Sequence, residues 1–216
     1  MAIKLIIFDW DGTLVDSVQT IVGSLRSAAE RLQLPVLSDQ EYSHIIGLGM
    51  REAIDALYPG LSTSQVNDYR SAYADAFFAQ PTTEKHLFEG VVEGLNALER
   101  RGYMLAVATG KSRNGLDKAM QSTGLRRYFP WHQCADETAS KPDPLMLNNI
   151  LAGAQCSVSD AVMVGDTIYD MEMARRIGMT AFGVEYGVHS ADQLLGSGAR
   201  VTFSVFCELI DSLLVH

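Results

Sequence analysis

The feature of this chain that most restricts its fold is a set of four short apolar runs separated by amphipathic helical patterns. The runs cover residues 4–8, 104–108, 161–164 and 180–184. Apolar stripes at helical spacing lie between them, at Val91, Leu95 and Leu98 and at Leu145, Leu147, Ile150 and Leu151. A short run that is apolar throughout is typical of a strand covered on both faces of a parallel sheet. The alternation therefore predicts an α/β fold with a Rossmann-like, doubly wound parallel sheet.

Residues 16–86 follow a different pattern, which is helical throughout. A long apolar stripe at helical spacing follows a candidate N-cap at Asp16-Ser17. Two capping boxes begin at Ser38 and Ser62, and a polar break at residues 81–85 precedes the return of the α/β pattern. We therefore predict an all-helical cap domain, inserted into the core. The predicted domains are residues 16–86 for the cap, and 1–15 with 87–216 for the core.

Composition and charge narrow the class of protein. Of the 216 residues, 47% are hydrophobic and 20% charged, which is ordinary for a globular protein, and the net charge is −9. This charge disfavours nucleic acid or an anionic membrane as a partner, but not a small anionic substrate beside a metal ion. Three cysteines match no zinc spacing and are expected to be reduced and buried. We expect a cytoplasmic protein, because no apolar run is long enough for a signal peptide or membrane span. We also expect a monomer or homodimer.

Polar clusters follow three of the predicted strands. Asp9 follows the first, Thr109-Gly110-Lys111 the second, and Asp166 the third, with Asp170 four residues further on. Lys141 precedes another predicted helix on the same side. In an open parallel sheet, ligands bind beyond the carboxyl ends of the strands. The four clusters are therefore expected to meet at one edge of the sheet.

Two carboxylates, Asp9 and Asp11, are two residues apart at the end of the first predicted strand. Strand side chains alternate with a period of two, so both should point to one side, with Trp10 packed on the other. Carboxylates held together repel each other unless a cation or a shared proton lies between them. Asp166 and Asp170 add two more acids, without histidine or cysteine, which favours a hard, oxygen-seeking ion. Mg²⁺ is the expected cofactor.

Four segments, in this order, resemble the motifs of the haloacid dehalogenase superfamily. They are Asp9-x-Asp11-Gly-Thr-Leu-Val-Asp-Ser, Thr109, Lys141-Pro142, and Gly165-Asp166 with Asp170. The helical insertion after the first motif is similar to that of the phosphoglycolate phosphatase-like branch. The resemblance covers essentially the whole chain.

The resemblance implies a role for each motif residue. Asp9 would be the nucleophile that forms an aspartyl-phosphate, and Asp11 the general acid and base. Thr109 would hold the phosphoryl oxygens, and Lys141 would neutralise their charge and hold Asp9 in place. An acid at position 11 also favours phosphate ester chemistry over dehalogenation, because an alcohol leaving group needs a proton and a halide does not.

The resemblance also implies a metal site and a substrate-binding set. Asp166 would bind Mg²⁺ directly, Asp170 through water or by anchoring the residues that bind the ion, and Asp11 through its main-chain carbonyl. The predicted metal-binding residues are Asp9, Asp11, Asp166 and Asp170. The predicted substrate-binding residues are Gly12, Thr109, Gly110, Lys141 and Arg51. Gly12 would also let the chain turn towards the insertion.

Several alternatives stay open from the sequence. Arg51, after a glycine-rich segment, could meet an anionic group of the substrate, or that segment could simply be a turn. Lys111 is expected to be solvated, and the stripe at Tyr69, Tyr73 and Phe77 is expected to be helix packing. The predicted activity is a phosphatase acting on a small phosphorylated metabolite such as phosphoglycolate. A β-phosphoglucomutase-type phosphomutase and a catalytically silent binding protein are the alternatives.

Overall fold

A computed structural model describes residues 3–80 and 83–215. Its centre is a six-stranded, wholly parallel sheet with the strand order β3-β2-β1-β4-β5-β6. The strands are β1 Leu5–Phe8, β2 Met104–Thr109, β3 Trp131–Cys134, β4 Ala161–Gly165, β5 Thr180–Val184 and β6 Val201–Phe203. The prediction of an α/β fold with a doubly wound parallel sheet is confirmed.

The four apolar runs became the four central strands, and the two edge strands were not predicted. Strand β1 is fully buried and lies between β2 and β4, with Ile7 opposite Ala106 on one side and Met163 on the other. Strands β3 and β6 are only partly buried. Because they carry polar residues such as His132 and Thr202, they lack the continuous apolar run of a central strand.

Helices cover both faces of the sheet, and alternate residues of β1 belong to two separate cores. Ile6 and Phe8 pack with α5 and α10 in one core, whereas Leu5 and Ile7 pack with α7 and α8 in the other. The core helices are α5 Val91–Arg100, α6 Arg113–Thr123, α7 Leu145–Ala154, α8 Ile168–Arg176, α9 Ala191–Ser197 and α10 Phe206–Leu214. Among the described residues, none of the helices combines the length and apolar character needed to span a membrane.

Four helices between β1 and α5 form a unit with its own apolar core, which we call the cap. They are α1 Val18–Arg31, α2 Asp39–His44, α3 Met50–Leu57 and α4 Thr63–Phe78. The capping boxes at Ser38 and Ser62 are present as predicted. Ser17 occupies the N-cap position of α1, but its side chain accepts no capping hydrogen bond. The domain limits at residues 16 and 86 stay a prediction, and Pro81 and Thr82 of the predicted break lie outside the described residues.

The chain leaves and re-enters the core through two neighbouring segments. Val15 forms an antiparallel bridge with Leu87. The main-chain N–H of Asp16 donates to the carbonyl of His86 at 2.7 Å, and that of Phe88 donates to Leu14 at 3.2 Å. The two connections between core and cap are therefore tied together side by side.

The expectation of three buried cysteines holds for one of them. Cys134 is buried at the end of β3, and burial raises the pKa of its thiol to about 12, so it is not a reactive thiolate at neutral pH. Cys156 is partly buried. Cys207 is exposed near the start of α10, where the prediction is wrong.

Helix α5 allows a test of the core packing. Leu98 is fully buried against the sheet, whereas Val92 on the same helix is 37% exposed. We expect Leu98→Ala to lower the free energy of unfolding by about 2–5 kcal/mol, because it leaves a cavity in the core. Val92→Ala should change it by less than about 0.5 kcal/mol. Urea denaturation of the two variants measures both values, and equal losses would contradict the assignment of this core.

Candidate active site

The polar clusters meet because the strands that carry them are neighbours in the sheet. Strand β1 lies between β2 and β4, and the carboxyl ends of all three point to the same edge. Asp9 follows β1, Thr109 ends β2, and Asp166 follows β4. Lys141 reaches this edge from the loop after β3, next to a cis peptide bond with Pro142.

Asp9 is held at the edge by one of its two carboxylate oxygens. Its Oδ1 accepts a hydrogen bond from the main-chain N–H of Trp10 at 2.7 Å and lies 2.8 Å from Lys141 Nζ. Its Oδ2 is buried and accepts no hydrogen bond within the described residues. The Trp10 side chain points into the core, as expected, where it meets Phe129. Asp9 therefore keeps one oxygen that no donor of residues 3–80 and 83–215 reaches.

Lys141 is a fully buried cation between two acids. Its Nζ lies 2.8 Å from Asp9 Oδ1 and 2.7 Å from Asp170 Oδ1, although the approach angles do not meet those of a hydrogen bond. Burial alone would lower the pKa of Lys141, but the charges of Asp170 and Asp9 outweigh this and raise it. Lys141 is therefore charged at neutral pH.

Three buried carboxylates form a cluster that can hold a metal ion. One oxygen each of Asp9, Asp166 and Asp170 lie within 4.8 Å of one another. Asp166 is fixed by the Thr13 hydroxyl at 2.8 Å and the main-chain N–H of Val188 at 2.9 Å. Burial raises the pKa of Asp166 to about 7, with a further contribution from Asp170. Lys141 balances one of three negative charges, so the donor set fits a divalent cation that prefers oxygen.

Asp11 has different partners from Asp9. Its Oδ1 accepts the hydroxyl of Ser17 at 2.6 Å, and its Oδ2 lies 3.0 Å from Lys111 Nζ. The expectation that Lys111 is solvated is wrong, because its side chain is only 10% exposed and its Nζ lies 4.6 Å from the ring centre of Phe77 in the cap. Sequence reasoning placed Lys111 at this edge but missed its contact with Asp11, and it gave Ser17 no role in the site. The position of Lys111, two residues beyond the end of β2, was the available signal.

Only glycine fits at position 12, because the backbone there is left-handed and there is no room for a Cβ atom. Its φ is +75°, in the left-handed region that favours glycine. A Cβ atom at this position would overlap the carboxylate of Asp166. The chain can therefore turn away from the sheet here and still pass directly beside the acidic cluster.

Thr109 and Gly110 lie where the core meets the cap. Thr109 is buried, and its Oγ1 accepts the main-chain N–H of Lys111 at 3.2 Å, which leaves its own hydroxyl hydrogen free to donate. A Cβ at Gly110 would lie 2.5 Å from the carbonyl oxygen of Leu48 and 2.6 Å from that of Gly47. The cap main chain therefore packs directly on Gly110.

Further contacts close the cap over the edge of the sheet. The main-chain N–H of Gly49 donates to the Ser140 hydroxyl at 2.7 Å, and the Tyr169 hydroxyl donates to the carbonyl of His44 at 3.0 Å. The ring nitrogens of His44 and His189 lie 3.1 Å apart. The structure therefore has a closed arrangement of cap and core.

A cavity of about 480 Å³ lies between the cap and the edge of the sheet formed by the carboxyl ends of its strands. Asp9, Asp11 and Thr109 line it from the core, and Arg70, Tyr73 and Phe77 are among the residues that line it from the cap. Tyr69 and Phe77 pack in the apolar core of the cap and Tyr73 packs against it, as expected, and Tyr73 and Phe77 also line the cavity.

The structure does not bring Arg51 to the cavity. Its side chain is 53% exposed, and its Nε lies 3.0 Å from Asp55 on the same helix. Arg70 lines the cavity instead. Its position on α4, three and seven residues before Tyr73 and Phe77, was the signal in the sequence, because residues with this spacing share one helix face.

Comparisons with known proteins agree with the fold and the motifs. The family model for haloacid dehalogenase-like hydrolases matches residues 6–184. The probable phosphatase IndB of Dickeya dadantii is 34% identical over 95% of this chain and 91% of its own. The phosphoglycolate phosphatase of Vibrio parahaemolyticus is 30% identical over 97% and 95%. A crystal structure of a hydrolase from Pseudomonas syringae superposes with a TM-score of 0.89 at 22% identity, covering 100% of this chain and 99% of that one.

The chain belongs to the haloacid dehalogenase-like hydrolases. Within this superfamily it is a phosphoric monoester hydrolase of the phosphoglycolate phosphatase-like branch, so the recognition from sequence motifs is confirmed.

The contact at Gly110 gives the first prediction for the site. Gly110→Ala should lower kcat/KM for p-nitrophenyl phosphate by about 10- to 100-fold, because the methyl group pushes the cap main chain away from the catalytic edge. Gly23→Ala is the control, since a Cβ there meets nothing within 4 Å. Steady-state kinetics of both variants, with thermal unfolding as a check, measures the effect. Equal kcat/KM in the two variants would show that close packing at Gly110 is unimportant.

The raised pKa of Asp166 gives a second prediction, for the protein in EDTA. Between about pH 4 and pH 7 the folded carboxyl keeps a proton that the unfolded chain, with a pKa near 3.8, has released. The free energy of unfolding should therefore fall as the pH rises through this window. The fall should be smaller in Asp166→Asn, which cannot titrate.

Urea denaturation at pH 5 and pH 7.5 measures this difference. Asp160→Asn is a control, because the hydrogen bond with Lys4 lowers the pKa of Asp160, so this group is ionised at both pH values and its removal should leave the change with pH as in wild type. If wild type and Asp166→Asn change equally with pH, Asp166 does not titrate as described.

Proposed function

We propose that this enzyme is a Mg²⁺-dependent phosphatase that hydrolyses the phosphomonoester of a small metabolite through an aspartyl-phosphate. The observation that supports this best is the state of Asp9. It is buried beside Lys141, and its Oδ2 accepts from no donor in the part of the chain that the structure describes. It also lines the cavity. A carboxylate held in this way is suited to attack phosphorus.

In the first step, Asp9 would attack phosphorus in line with the leaving oxygen. The bond between phosphorus and the leaving oxygen breaks, and Asp11 gives that oxygen its proton, so that a neutral alcohol departs. Asp11 lines the same cavity as Asp9, and Ser17 and Lys111 hold its carboxylate in place. The product is a phosphorylated Asp9 and an ionised Asp11.

In the second step, Asp11 would take a proton from a water molecule that attacks the phosphorylated Asp9. This releases inorganic phosphate and restores both carboxyl groups. Thr109 and the main-chain N–H groups beside it would hold the phosphoryl oxygens in both steps. The hydroxyl oxygen of Thr109 accepts from the main-chain N–H of Lys111, and within the described residues its hydroxyl hydrogen has no acceptor, so it can serve this role.

The acidic cluster supports Mg²⁺ as the cofactor. Burial raises the pKa of Asp9, and the charges of Asp170 and Asp166 add to this, whereas attack requires the ionised form. Asp9, Asp166 and the main-chain carbonyl of Asp11 would hold the ion, with Asp170 beside them. When bound, Mg²⁺ offsets negative charge on the carboxylates and the phosphoryl group.

The names of relatives suggest which substrate to test first. The matched Vibrio parahaemolyticus protein is named a phosphoglycolate phosphatase, so phosphoglycolate is a candidate substrate here. Location in the cytoplasm and a monomeric or homodimeric state stay predictions, as do the domain limits.

The two alternatives from the sequence are distinguishable in solution. A phosphomutase would use the same Asp9 but would need a bisphosphate to start its cycle, and it would release little phosphate. A silent binding protein would release none. The intact set of Asp9, Asp11, Lys141 and Asp166 favours turnover over simple binding.

The proposal predicts the behaviour of three samples with p-nitrophenyl phosphate. Wild type with Mg²⁺ should release phosphate without a bisphosphate. EDTA should abolish the activity, and added Mg²⁺ should restore it. Asp9→Asn should lower kcat by at least about 1,000-fold, because the amide is a poor nucleophile, whereas the same change at the nearby exposed Asp16 should have little effect. Equal rates for Asp9→Asn and Asp16→Asn would refute the nucleophile.

A further inference from the structure

We propose that the natural substrate is a phosphomonoester whose leaving group carries an uncharged, apolar-faced ring that packs against Tyr73 and Phe77 under the cap. A short carboxylic acid such as glycolate would be a poor leaving group for this cavity. The inference rests on the proposed phosphatase function and specifies the class of substrate for the same site.

The size of the cavity is the first argument. Its volume of about 480 Å³ falls within the roughly 300–1,000 Å³ that is usual for sites enclosing drug-sized ligands. The phosphoryl group would occupy only the end of the cavity that is formed by Asp9 and Thr109. A two-carbon leaving group would leave most of the remaining space to water, whereas a ring would fill it.

The chemistry of the cap wall is the second argument. The segment between α2 and α3 contributes Ile45, Ile46 and Leu48, and Met50 follows at the start of α3. These four side chains cannot donate a hydrogen bond to a carboxylate, although Asn67 and Ser71 of α4 carry uncharged donors elsewhere in the lining. Transfer of an ionised group from water to such a surface is unfavourable, whereas transfer of an apolar group is favourable.

The charges around the cavity are the third argument. Among the described residues that line it, the cations are Lys111 and Arg70. The charge of Lys111 is balanced by Asp11 at 3.0 Å, and Arg70 lies on an exposed part of α4, where water screens it. Arg51 lies outside and pairs with Asp55. The cavity therefore offers no desolvated, unpaired cation for a second anionic group.

The aromatic pair on α4 provides the fourth argument. The rings of Tyr73 and Phe77 stack at 5.6 Å with an angle of 21° between their planes, and they form an aromatic wall of the cavity. Such a wall favours a planar or apolar-faced ring. Burial raises the pKa of the Tyr73 hydroxyl, and the charge of Asp11 adds to this. The hydroxyl therefore stays protonated near the general acid and can donate to an oxygen of the leaving group.

Three phosphomonoesters of primary alcohols test the inference: benzyl phosphate, ethyl phosphate and 2-phosphoglycolate. The bond that breaks is of the same kind in all three, so the differences report on the leaving-group site. We expect kcat/KM for benzyl phosphate to exceed each of the others by at least about tenfold, because a hydrophobic pocket can discriminate a single methylene by 10-fold or more. A preference for 2-phosphoglycolate, abolished by Arg70→Gln, would overturn the inference.

Variants on the aromatic wall test the location of the ring. Phe77→Ala should reduce the preference for benzyl over ethyl phosphate to within about threefold, whatever its effect on the rate with ethyl phosphate. Tyr73→Leu keeps apolar volume but removes the ring, so it should also reduce the preference for benzyl over ethyl phosphate. If Phe77→Ala does not fold, Tyr73→Leu alone tests the location of the ring. Val36→Ala, at an exposed apolar residue of the cap outside the cavity, is the matched control.

The kinetic results that would refute this inference differ from those that would refute the proposed phosphatase function. If no ester is hydrolysed with Mg²⁺, the phosphatase function itself fails. If all three esters are hydrolysed at similar kcat/KM and the wall variants lower all rates equally, the enzyme is a phosphatase but the ring-binding site is refuted.

Discussion

The structure of the site depends on one buried interaction, the ammonium of Lys141 between the carboxylates of Asp9 and Asp170. Each charge is costly to bury alone, and each makes the burial of the others tolerable. The three residues come from the end of β1, the loop after β3 and the first turn of α8. The carboxylate of Asp9 is therefore held in place only when β1, the loop after β3 and α8 are all folded against one another.

The order of the strands explains how much of the fold could be predicted. The central strands are buried on both faces, so their apolar runs are visible in the sequence. Strands β3 and β6 have a neighbour on one side only and carry His132 and Thr202, so no run marks them. The helical insertion was visible because a long apolar stripe and two capping boxes agree with each other.

The site could be predicted as far as its residues follow strand ends. Asp9, Thr109 and Asp166 do so, and a parallel sheet brings such positions to one edge. Contacts made by long side chains could not be predicted in the same way. Lys111 turns to Asp11 rather than to water, and Arg51 pairs with Asp55 on its own helix. The direction of Lys111 depends on how the cap sits on the core, which no local pattern encodes. The pair of Arg51 and Asp55, by contrast, has the i,i+4 spacing of a local helix contact and was readable from the sequence.

The paired connections at Val15 and Leu87 have a consequence for how the cap can move. A single connecting segment would let the cap rotate freely relative to the core. Two segments joined by main-chain hydrogen bonds resist rotation about the long axis of the connection, although they can still bend. Any opening of the cap should therefore be a hinge rotation about one axis through these two segments. The cap would then come back to the same alignment over Asp9 each time it closes, without a search among alternative orientations.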